Sequence, residues 1–253
     1  MGKEKVVIVM PAYNAAKTLK QTLDDIPKGS YDEIILVDDM SKDDTAAAAK
    51  DLGLKVIVHE KNKGYGANQK TCYKAALETG ADIVVMLHPD YQYDPRLVPF
   101  LTGLISAGIC DIMLANRIRT RLEALKGGMP FYKYFFNRCL TITENIVLGL
   151  NIGEYHTGYR AFSKKSLELI NFDLNSDDFV FDQHILVQAA ALGLRIGDIP
   201  VEAKYFDEAS SINFRRSVKY GLETLWILFR YILHKIRILP SKMFIAKQNK
   251  SNG

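Results

Sequence analysis

Short apolar runs alternate with stretches of helical spacing in the first third of the chain, and this alternation restricts the chain to few folds. The runs are rich in β-branched residues, as is typical of strands buried on both faces. They are Val6–Met10, Ile34–Val37, Val56–Val58 and Ile83–Leu87. The intervening helices are predicted over Ala15–Ile26, Thr45–Leu52 and Asn68–Glu78. This order predicts an α/β fold with a mostly parallel central sheet flanked by helices and joined by right-handed crossovers.

A polar cluster directly follows each of the four predicted strands. The clusters are Pro11–Asn14, Asp38–Asp43, Lys63–Gly66 and His88–Gln92. In parallel sheets ligands bind beyond the carboxyl ends of the strands, and those ends lie at one edge. A random scatter of polar loops would not favour one edge. We therefore expect the four clusters to form a single site.

Three residues of these clusters suit a nucleotide, although each also has an ordinary structural explanation. The flat ring of Tyr13 can stack on a nucleobase, or it is a tyrosine with no ligand. Asp39 can accept hydrogen bonds from a base or a ribose hydroxyl, or it marks the start of a helix. Gly64 lies in a glycine-rich stretch that opens a helix, where backbone N–H groups can cradle phosphate. This stretch is not a P-loop, so as a signal it is weak.

The segment His88–Gln92 carries three potential metal ligands at the end of a buried strand. They are His88, Asp90 and Gln92. An oxygen-rich set of this kind suits a hard divalent cation, which in proteins commonly holds a diphosphate. The alternative is a simple turn, because Pro89 and Asp94-Pro95 favour turns.

The second half of the chain is less regular. Strands are predicted over Asp111–Ala115 and Ile196–Val201, and helices over Leu97–Ala107, Met129–Leu148, Asp182–Leu192 and Ser217–Leu239. No linker separates the two halves, so we expect one catalytic domain over residues 1–212. Residues 213–246 are predicted to form a basic amphipathic helical appendage. Residues 247–253, rich in Lys, Asn and Ser, are predicted to be disordered.

Composition excludes several classes of protein. The net charge of +4 is mild and no nucleic-acid-binding motif occurs, so nucleic acid is not an expected partner. The three cysteines are widely spaced and fit a reduced cytosolic protein. The chain shows no signal peptide and no uninterrupted apolar stretch of the ~18 residues needed to span a membrane. These features predict a cytoplasmic location.

The order of the four clusters resembles that of family 2 glycosyltransferases, which have the nucleotide-diphospho-sugar transferase (A-type glycosyltransferase) fold. The likeness runs from Val6 to Ser211 and is closest to the polyprenyl-phosphate (dolichyl-phosphate) mannose and glucose synthases. Their metal motif Asp-x-Asp-x-Gln reads His88-Pro89-Asp90-Tyr91-Gln92 here. Further matches are Asn116-Arg117, Thr157-Gly158-Tyr159-Arg160 and Phe181-Asp182-Gln183.

The resemblance implies roles for individual residues. The nucleotide-sugar would be bound by the first strand end, the second strand end and the glycine-rich stretch, that is by Pro11, Ala12, Tyr13, Asn14, Asp39 and Gly64. Asp90 would bind Mg²⁺ or Mn²⁺ together with Gln92, and the metal would neutralise the charge of the leaving diphosphate. The acceptor would attack C1 of the sugar in line and invert its configuration. His88 stands in place of the first acid. Imidazole suits Mn²⁺ better than Mg²⁺. The alternative is that His88 only hydrogen-bonds the phosphate or shapes the turn.

The acceptor stays open between two chemical classes. Arg117 and Arg160 suit a phosphate acceptor, because guanidinium groups bind phosphate through paired hydrogen bonds. Such an acceptor is already ionised. A saccharide or other hydroxyl acceptor instead needs a base, for which Asp182 is the candidate. A third possibility is a non-catalytic nucleotide-sugar-binding protein, which the replacement at His88 permits.

Basic and aromatic residues are interleaved in residues 117–138 and again in the last predicted helix. This mixture suits the interface of a bilayer, and it suits a homo-oligomer contact equally well. The preferred function is transfer of a sugar from a UDP- or GDP-linked donor to a polyprenyl phosphate. The enzyme would act as a peripheral protein at the cytosolic face of the membrane.

Overall fold

The computed structural model describes residues 3–118, 120–202 and 214–247. In these parts the strands are β1 Val6–Ala12, β2 Glu33–Asp38, β3 Lys55–Val58, β4 Ile83–Met86, β5 Ile112–Asn116, β6 Arg160–Ser163 and β7 Ile196–Pro200. The α-helices are α1 Ala16–Asp24, α2 Thr45–Asp51, α3 Tyr65–Glu78, α4 Val98–Ser106, α5 Arg121–Lys126, α6 Phe131–Leu148, α7 Lys164–Leu169, α8 Phe181–Ala191 and α9 Phe214–Lys235. Short 3₁₀ turns cover Pro95–Leu97, Phe172–Leu174 and Lys242–Phe244.

The strands form one sheet in the order β3-β2-β1-β4-β6-β5-β7. All neighbours are parallel except β6, which runs antiparallel to both β4 and β5. In the parallel part, Val9 of β1 lies opposite Ile35 of β2 and Met86 of β4. The carboxyl ends of these three strands therefore meet at one edge.

The strands β1, β2, β4 and β5 are buried on both faces of the sheet, which explains why they are almost continuously apolar. Successive residues of β1 belong to different core clusters: Val7 and Val9 lie on one face, Ile8 and Met10 on the other. Helices α3 and α8 cover the first face, where Tyr73 of α3 packs edge-on against Phe162 of β6 with ring centroids 5.3 Å apart. Helices α1 and α4 cover the second face.

Several elements differ from the sequence prediction. The strand β6 and the helices α5 and α7 were not predicted. The α3 helix begins at Tyr65 rather than Asn68, and α9 covers Phe214–Lys235 rather than Ser217–Leu239. The β6 strand is only four residues long and contains an arginine, so its pattern carries no strand signal; its place depends on pairing with distant β4 and β5.

Helix α9 is joined to the core through its buried residues. Ile227 and Leu228 are buried and belong to the cluster under α3 and α8. The expected boundary between residues 212 and 213 lies outside the described ranges, as does the expected disordered tail apart from residue 247. Where the chain is described, α9 therefore packs as part of the main body.

The start of α3 depends on close contact with the segment before α8. The Gly66 N–H donates to the Asp177 carbonyl at 2.8 Å. A Cβ at Gly66 would lie 2.8 Å from Phe181 Cβ and would also overlap the Ser176 carbonyl oxygen. Only glycine allows this approach of two backbones.

We expect Gly66→Ala to lower the free energy of unfolding by ~1–3 kcal/mol or more, because backbone must move to admit the methyl group. Gly103 is the matched control: it lies in α4, and a Cβ there meets nothing within 4 Å. Gly103→Ala should stabilise the protein by ~0.5–1 kcal/mol through helix propensity. Urea denaturation measures both changes, and equal midpoints for the two variants would contradict the expectation.

Candidate active site

A cavity of about 1080 Å³ opens at the carboxyl ends of β1, β2 and β4. Its lining residues come from the strand ends, from the α3 amino terminus, and from α6, α8 and α9. The cavity therefore runs from the edge of the sheet to the two helices rich in aromatic residues. All four polar clusters predicted from the sequence contribute to this edge, although not every predicted residue reaches the cavity.

The strand-end of β1 forms one wall of the cavity. Pro11, Ala12 and Tyr13 line it, and Tyr13 is 49% exposed, so its ring is accessible to a ligand. Asn14 lies instead in a smaller neighbouring pocket of about 400 Å³. Its backbone is left-handed (φ 54°), and its side-chain oxygen accepts from the Lys42 N–H at 2.8 Å. Asn14 therefore connects the loop after β1 to the loop after β2.

The Asp39 carboxylate lines the cavity next to β1 and is held by three protein donors. Its Oδ1 accepts from His59 Nδ1 at 2.7 Å and from the Lys63 N–H at 2.8 Å. Its Oδ2 accepts from the Gly64 N–H at 2.9 Å. The glycine-rich stretch therefore binds Asp39 with its backbone amides. His59 was missed by the sequence analysis, since a single histidine after a short strand carries no recognisable signal.

The three predicted metal ligands all line the cavity. Asp90 and Gln92 are nearly buried, and the Gln92 N–H donates to Asp90 Oδ1 at 3.1 Å. His88 stacks on Tyr65 with ring centroids 5.7 Å apart. Its Nδ1 is buried and has no hydrogen-bond partner in the described parts of the chain.

These donors fit a divalent cation. Burial lowers the pKa of His88, against the opposing charge of Asp90, and so favours the neutral imidazole that binds metal. Within residues 3–118, 120–202 and 214–247 there is no group of three or more His, Cys, Asp and Glu side chains placed to share a metal. The potential ligands here are the His88 imidazole, the Asp90 carboxylate and the Gln92 amide oxygen. The His88 Nδ1 atom, which lacks a hydrogen-bond partner in the described residues, is the observation that favours a bound cation.

Asp182 lines the cavity, and both of its carboxylate oxygens have protein partners. Its carboxylate accepts from Tyr65 Oη at 2.8 Å and from Gln69 Nε2 at 3.0 Å. The Arg160 guanidinium forms an ion pair with it at 3.2 Å. Arg160 itself is completely buried and does not line the cavity, although it was expected to bind the acceptor. The structure places Arg160 behind Asp182, where it supports the carboxylate.

Arg117 does line the cavity, and it is held by an acid beneath it. Glu154, with no exposed surface, pairs with the Arg117 guanidinium and accepts from the Arg117 N–H at 2.7 Å. Burial alone would raise the pKa of Glu154, but the charge and hydrogen bonds of Arg117 lower it below its ordinary value. Asn137 donates to the same carboxylate at 3.0 Å. The Arg117 guanidinium is therefore held in one orientation at the cavity wall.

A second polar network, also missed from the sequence, joins α6, α8 and α9. Glu144 of α6 is fully buried, with Oε2 3.2 Å from His156 Nε2. The other ring nitrogen of His156 contacts the Tyr220 hydroxyl at 2.9 Å, and Gln183 donates to that hydroxyl at 2.6 Å. Burial raises the pKa of Glu144, against the charge of His156. The one available signal was that Glu144 is the sole acid in α6.

The end of the cavity away from the nucleotide residues is apolar with a basic rim. Apolar side chains line it. They are Phe136 and Leu140 of α6, Leu222 and Leu225 of α9, and Met129, which lies two residues before α6. Three cations lie among them: Lys133, Arg216 and Lys219, of which Lys219 pairs with Asp178 at 2.5 Å. Burial lowers the pKa of Lys133, and the charge of Arg117 lowers it further. We call this part of the cavity the apolar mouth.

The fold and this cavity together define the class of the protein: a glycosyltransferase with the nucleotide-diphospho-sugar transferase fold. Residues 7–170 match the model of "Glycosyl transferase family 2", and the chain belongs to that family. Both the family resemblance and the fold class expected from the sequence are confirmed.

Two curated relatives and one solved structure show what the chain is similar to. The UDP-N-acetylglucosamine–dolichyl-phosphate N-acetylglucosaminyltransferase of Methanococcus voltae is 30% identical over 222 residues, 81% of this chain and 88% of that protein. The undecaprenyl-phosphate mannosyltransferase of Micrococcus luteus is 26% identical over 211 residues, 78% of this chain and 82% of its own. Glucosyl-3-phosphoglycerate synthase from Mycobacterium tuberculosis, crystallised with Mn²⁺ and UDP, has a TM-score of 0.69 at 20% identity. It covers 94% of this chain and 82% of its own, and at that identity the likeness concerns the fold.

Proposed function

We propose that this glycosyltransferase moves a sugar from a nucleoside diphosphate to a polyprenyl phosphate, with inversion and with a divalent cation. One observation carries the proposal: a single cavity connects the nucleotide residues at the sheet edge to the apolar mouth between α6 and α9. A small, water-soluble acceptor would have no use for an apolar mouth. A long isoprenoid chain would bury its surface there.

The relatives support the same acceptor class. The Methanococcus voltae and Micrococcus luteus enzymes are named for transfer to dolichyl phosphate and undecaprenyl phosphate, respectively. Each covers more than three quarters of this chain. Polyprenyl phosphates combine an apolar chain with an anionic head, which are the two properties that the mouth and its basic rim can recognise.

The donor would lie along the β1, β2 and β4 ends. Tyr13 and Asp39 would hold the nucleoside, Pro11 and Ala12 would form the floor, and Gly64 would close the edge. Asp90, Gln92 and His88 would hold Mg²⁺ or Mn²⁺, which when bound neutralises charge on the departing nucleoside diphosphate.

The acceptor phosphate would approach from the apolar mouth toward Arg117. Glu154, which accepts a hydrogen bond from Asn137, holds the Arg117 guanidinium in one orientation before the acceptor binds. An acceptor phosphate oxygen forms the new bond to C1 of the sugar. The bond from C1 to the diphosphate oxygen breaks on the opposite side, and the configuration inverts. The attacking oxygen is already ionised, so no side chain has to take a proton.

The membrane is proposed as the surface on which this happens. Helices α6 and α9 carry a large set of exposed apolar side chains, which includes Phe131, Phe135, Ile142, Ile146, Phe214, Leu222, Trp226 and Phe229. Cations flank them on α9, among them Arg215, Arg230 and Lys235. In the described residues, no helix is both long and apolar enough to cross a bilayer. This arrangement suits a protein that lies on an anionic membrane face, which we propose is the cytosolic one.

The alternatives are less well supported by the geometry. In the hydroxyl-acceptor alternative Asp182 is the base, yet both of its oxygens already accept hydrogen bonds from fixed donors. The non-catalytic alternative depends on the loss of the first acid at His88. That side chain still lines the cavity, and its buried Nδ1 has no hydrogen-bond partner in the described parts of the chain.

Asp90→Ala should reduce transfer to polyprenyl phosphate at least ~10²-fold, because the cation contributes several kcal/mol of charge stabilisation. The variant should also lose the Mn²⁺-dependent part of nucleotide binding, measured by calorimetry. Asp24→Ala is the control, since it removes an exposed carboxylate at the end of α1. Full activity in Asp90→Ala would refute the metal assignment.

Asp182→Asn distinguishes the two acceptor classes. With a phosphate acceptor we expect a loss of kcat below ~10-fold, whereas removal of a general base costs ~10² or more. Asparagine retains an oxygen that can accept from Arg160, so the buried guanidinium keeps a partner. Thermal denaturation must show that the variant is folded. A folded variant with a loss above ~10² would favour the hydroxyl acceptor.

Phe229→Glu should weaken binding to vesicles of anionic phospholipid at least ~10-fold, because the side chain no longer buries apolar surface and its charge is repelled. Phe100→Glu is the matched control: Phe100 is 63% exposed but lies on α4, which covers a different face of the sheet. Co-sedimentation measures both. Equal loss in the two variants would contradict membrane docking by α9, as would binding by the wild type that does not weaken with salt.

A further inference from the structure

We propose that His156 is a positioning residue for the acceptor. Held from behind by Glu144, its ring fixes the Tyr220 hydroxyl and thereby the turn of α9 that borders the apolar mouth. This rests on the proposed function and deepens it, because it names side chains that govern the affinity for a polyprenyl phosphate without taking part in donor binding.

Glu144 is a fully buried acid whose carboxylate has one close partner among the described residues. Its Oε2 lies 3.2 Å from His156 Nε2, and neither atom has another hydrogen-bond partner in the parts of the chain that the structure describes. Burying a carboxylate costs free energy unless the group is paired. A buried pair of this kind adds little to stability, and the orientation that it gives His156 accounts for its presence.

The groups around His156 determine the direction of its hydrogen bonds. As a carboxylate, Glu144 can only accept, so a neutral imidazole carries its hydrogen on Nε2 and keeps a lone pair on Nδ1. The Gln183 amide nitrogen, a donor 3.0 Å from Nδ1, favours the same tautomer. The Tyr220 hydroxyl, 2.9 Å from Nδ1, then donates to it and accepts from Gln183 at 2.6 Å. The donors therefore all point toward Glu144, and each bond strengthens the next.

Tyr220 lies in a part of α9 that has few other anchors. The buried residues of this helix all come after it: Thr224, Ile227, Leu228 and Tyr231. Before it, Lys219 pairs with Asp178, but both side chains are largely exposed and such pairs contribute little. The Tyr220 hydroxyl, in contrast, meets partners from α8 and from the loop before β6. These contacts therefore set the rotation of the first turns of α9.

The residues of α9 at the acceptor end of the cavity flank Tyr220 on both sides. Arg216 and Lys219 of the basic rim precede it, and Leu222 and Leu225 of the apolar mouth follow it. A displacement of Tyr220 would move all four together. His156 also contacts the opposite side of this end, because its backbone carbonyl accepts from the Arg117 guanidinium. The donor residues instead follow β1, β2 and β4, so loss of the Tyr220 contact should weaken acceptor binding alone.

The test is Tyr220→Phe, which removes one hydroxyl and leaves the ring. The affinity of the full chain for farnesyl phosphate, measured by calorimetry, should fall ~3- to 10-fold, the range that one hydrogen bond represents. The KM for polyprenyl phosphate should rise to the same extent, with kcat unchanged. The affinity for UDP or GDP, whichever the wild type binds with Mn²⁺, should also be unchanged. Thermal stability should change little, because the Gln183 amide is already placed to donate to His156 Nδ1.

His234→Leu is the matched control for loss of a histidine contact on the same helix. His234 Nδ1 accepts from the Ser241 N–H at 3.1 Å, at the other end of α9, and His234 does not line the cavity. This variant should bind farnesyl phosphate as the wild type does.

His156 itself is tested in a Glu144→Gln background, which removes the buried charge that would otherwise lose its partner. There His156→Asn should retain the affinity for farnesyl phosphate, because its amide oxygen can accept from Tyr220 in place of Nδ1. His156→Leu, of similar size, should lose as much affinity as Tyr220→Phe does. Adding Tyr220→Phe to it should cause no further loss, since both changes remove the same contact.

The outcomes separate the role of His156 from the identity of the acceptor. Tyr220→Phe that binds farnesyl phosphate as tightly as the wild type, or that loses acceptor and nucleotide affinity equally, would overturn the role of His156 and leave the proposed acceptor standing. Additive losses in the variant that combines His156→Leu with Tyr220→Phe would do the same. If the wild type bound no farnesyl phosphate and transferred sugar to no polyprenyl phosphate, the proposed acceptor and the role of His156 would both be wrong.

Discussion

Burial of the sheet on both faces is the constraint on which the rest of the structure depends. Strands such as β1 and β4 have no solvent-facing side, so polar residues are excluded until each strand ends. Because β1, β2 and β4 are parallel, those ends coincide at one edge. The polar groups of the site collect there for the same reason that the core is apolar. Tyr13, Asp39 and Asp90 therefore line one cavity at the edge of an apolar sheet.

The charges at this edge are paired before any ligand binds. Arg160 is matched by Asp182, Arg117 by Glu154, and Asp39 by His59 and two backbone amides. Breaking a buried pair by removing one partner typically costs ~3–5 kcal/mol, so these side chains are held in single orientations. Such pairing makes the site rigid and limits the hydrogen bonds that each side chain can still form with a ligand.

The acceptor end is organised differently, by helices rather than strand ends. Helix α9 is anchored through Ile227 and Leu228, while its other side leaves Leu222, Trp226 and Phe229 exposed. The Glu144–His156–Tyr220 contacts tie α9 to α6 beside the cavity. One helix therefore borders the apolar mouth and also presents the surface proposed to meet the membrane. This places the entry for an isoprenoid chain next to the lipid that would carry it.

The sequence alone determined the early strands, their helices and the polar clusters at the strand ends, because apolar runs and their polar limits are local properties. It also placed Pro11, Tyr13, Asp39, His88, Asp90 and Gln92 at one edge, since parallel strands share that edge by geometry. Only the tertiary structure decided that β6 runs antiparallel between β4 and β5, and that Arg160 is buried behind Asp182. It alone paired His59 with Asp39 and Glu144 with His156. These partners are 12 to 22 positions apart, with no periodic pattern between them, so their contacts follow from packing rather than from local sequence.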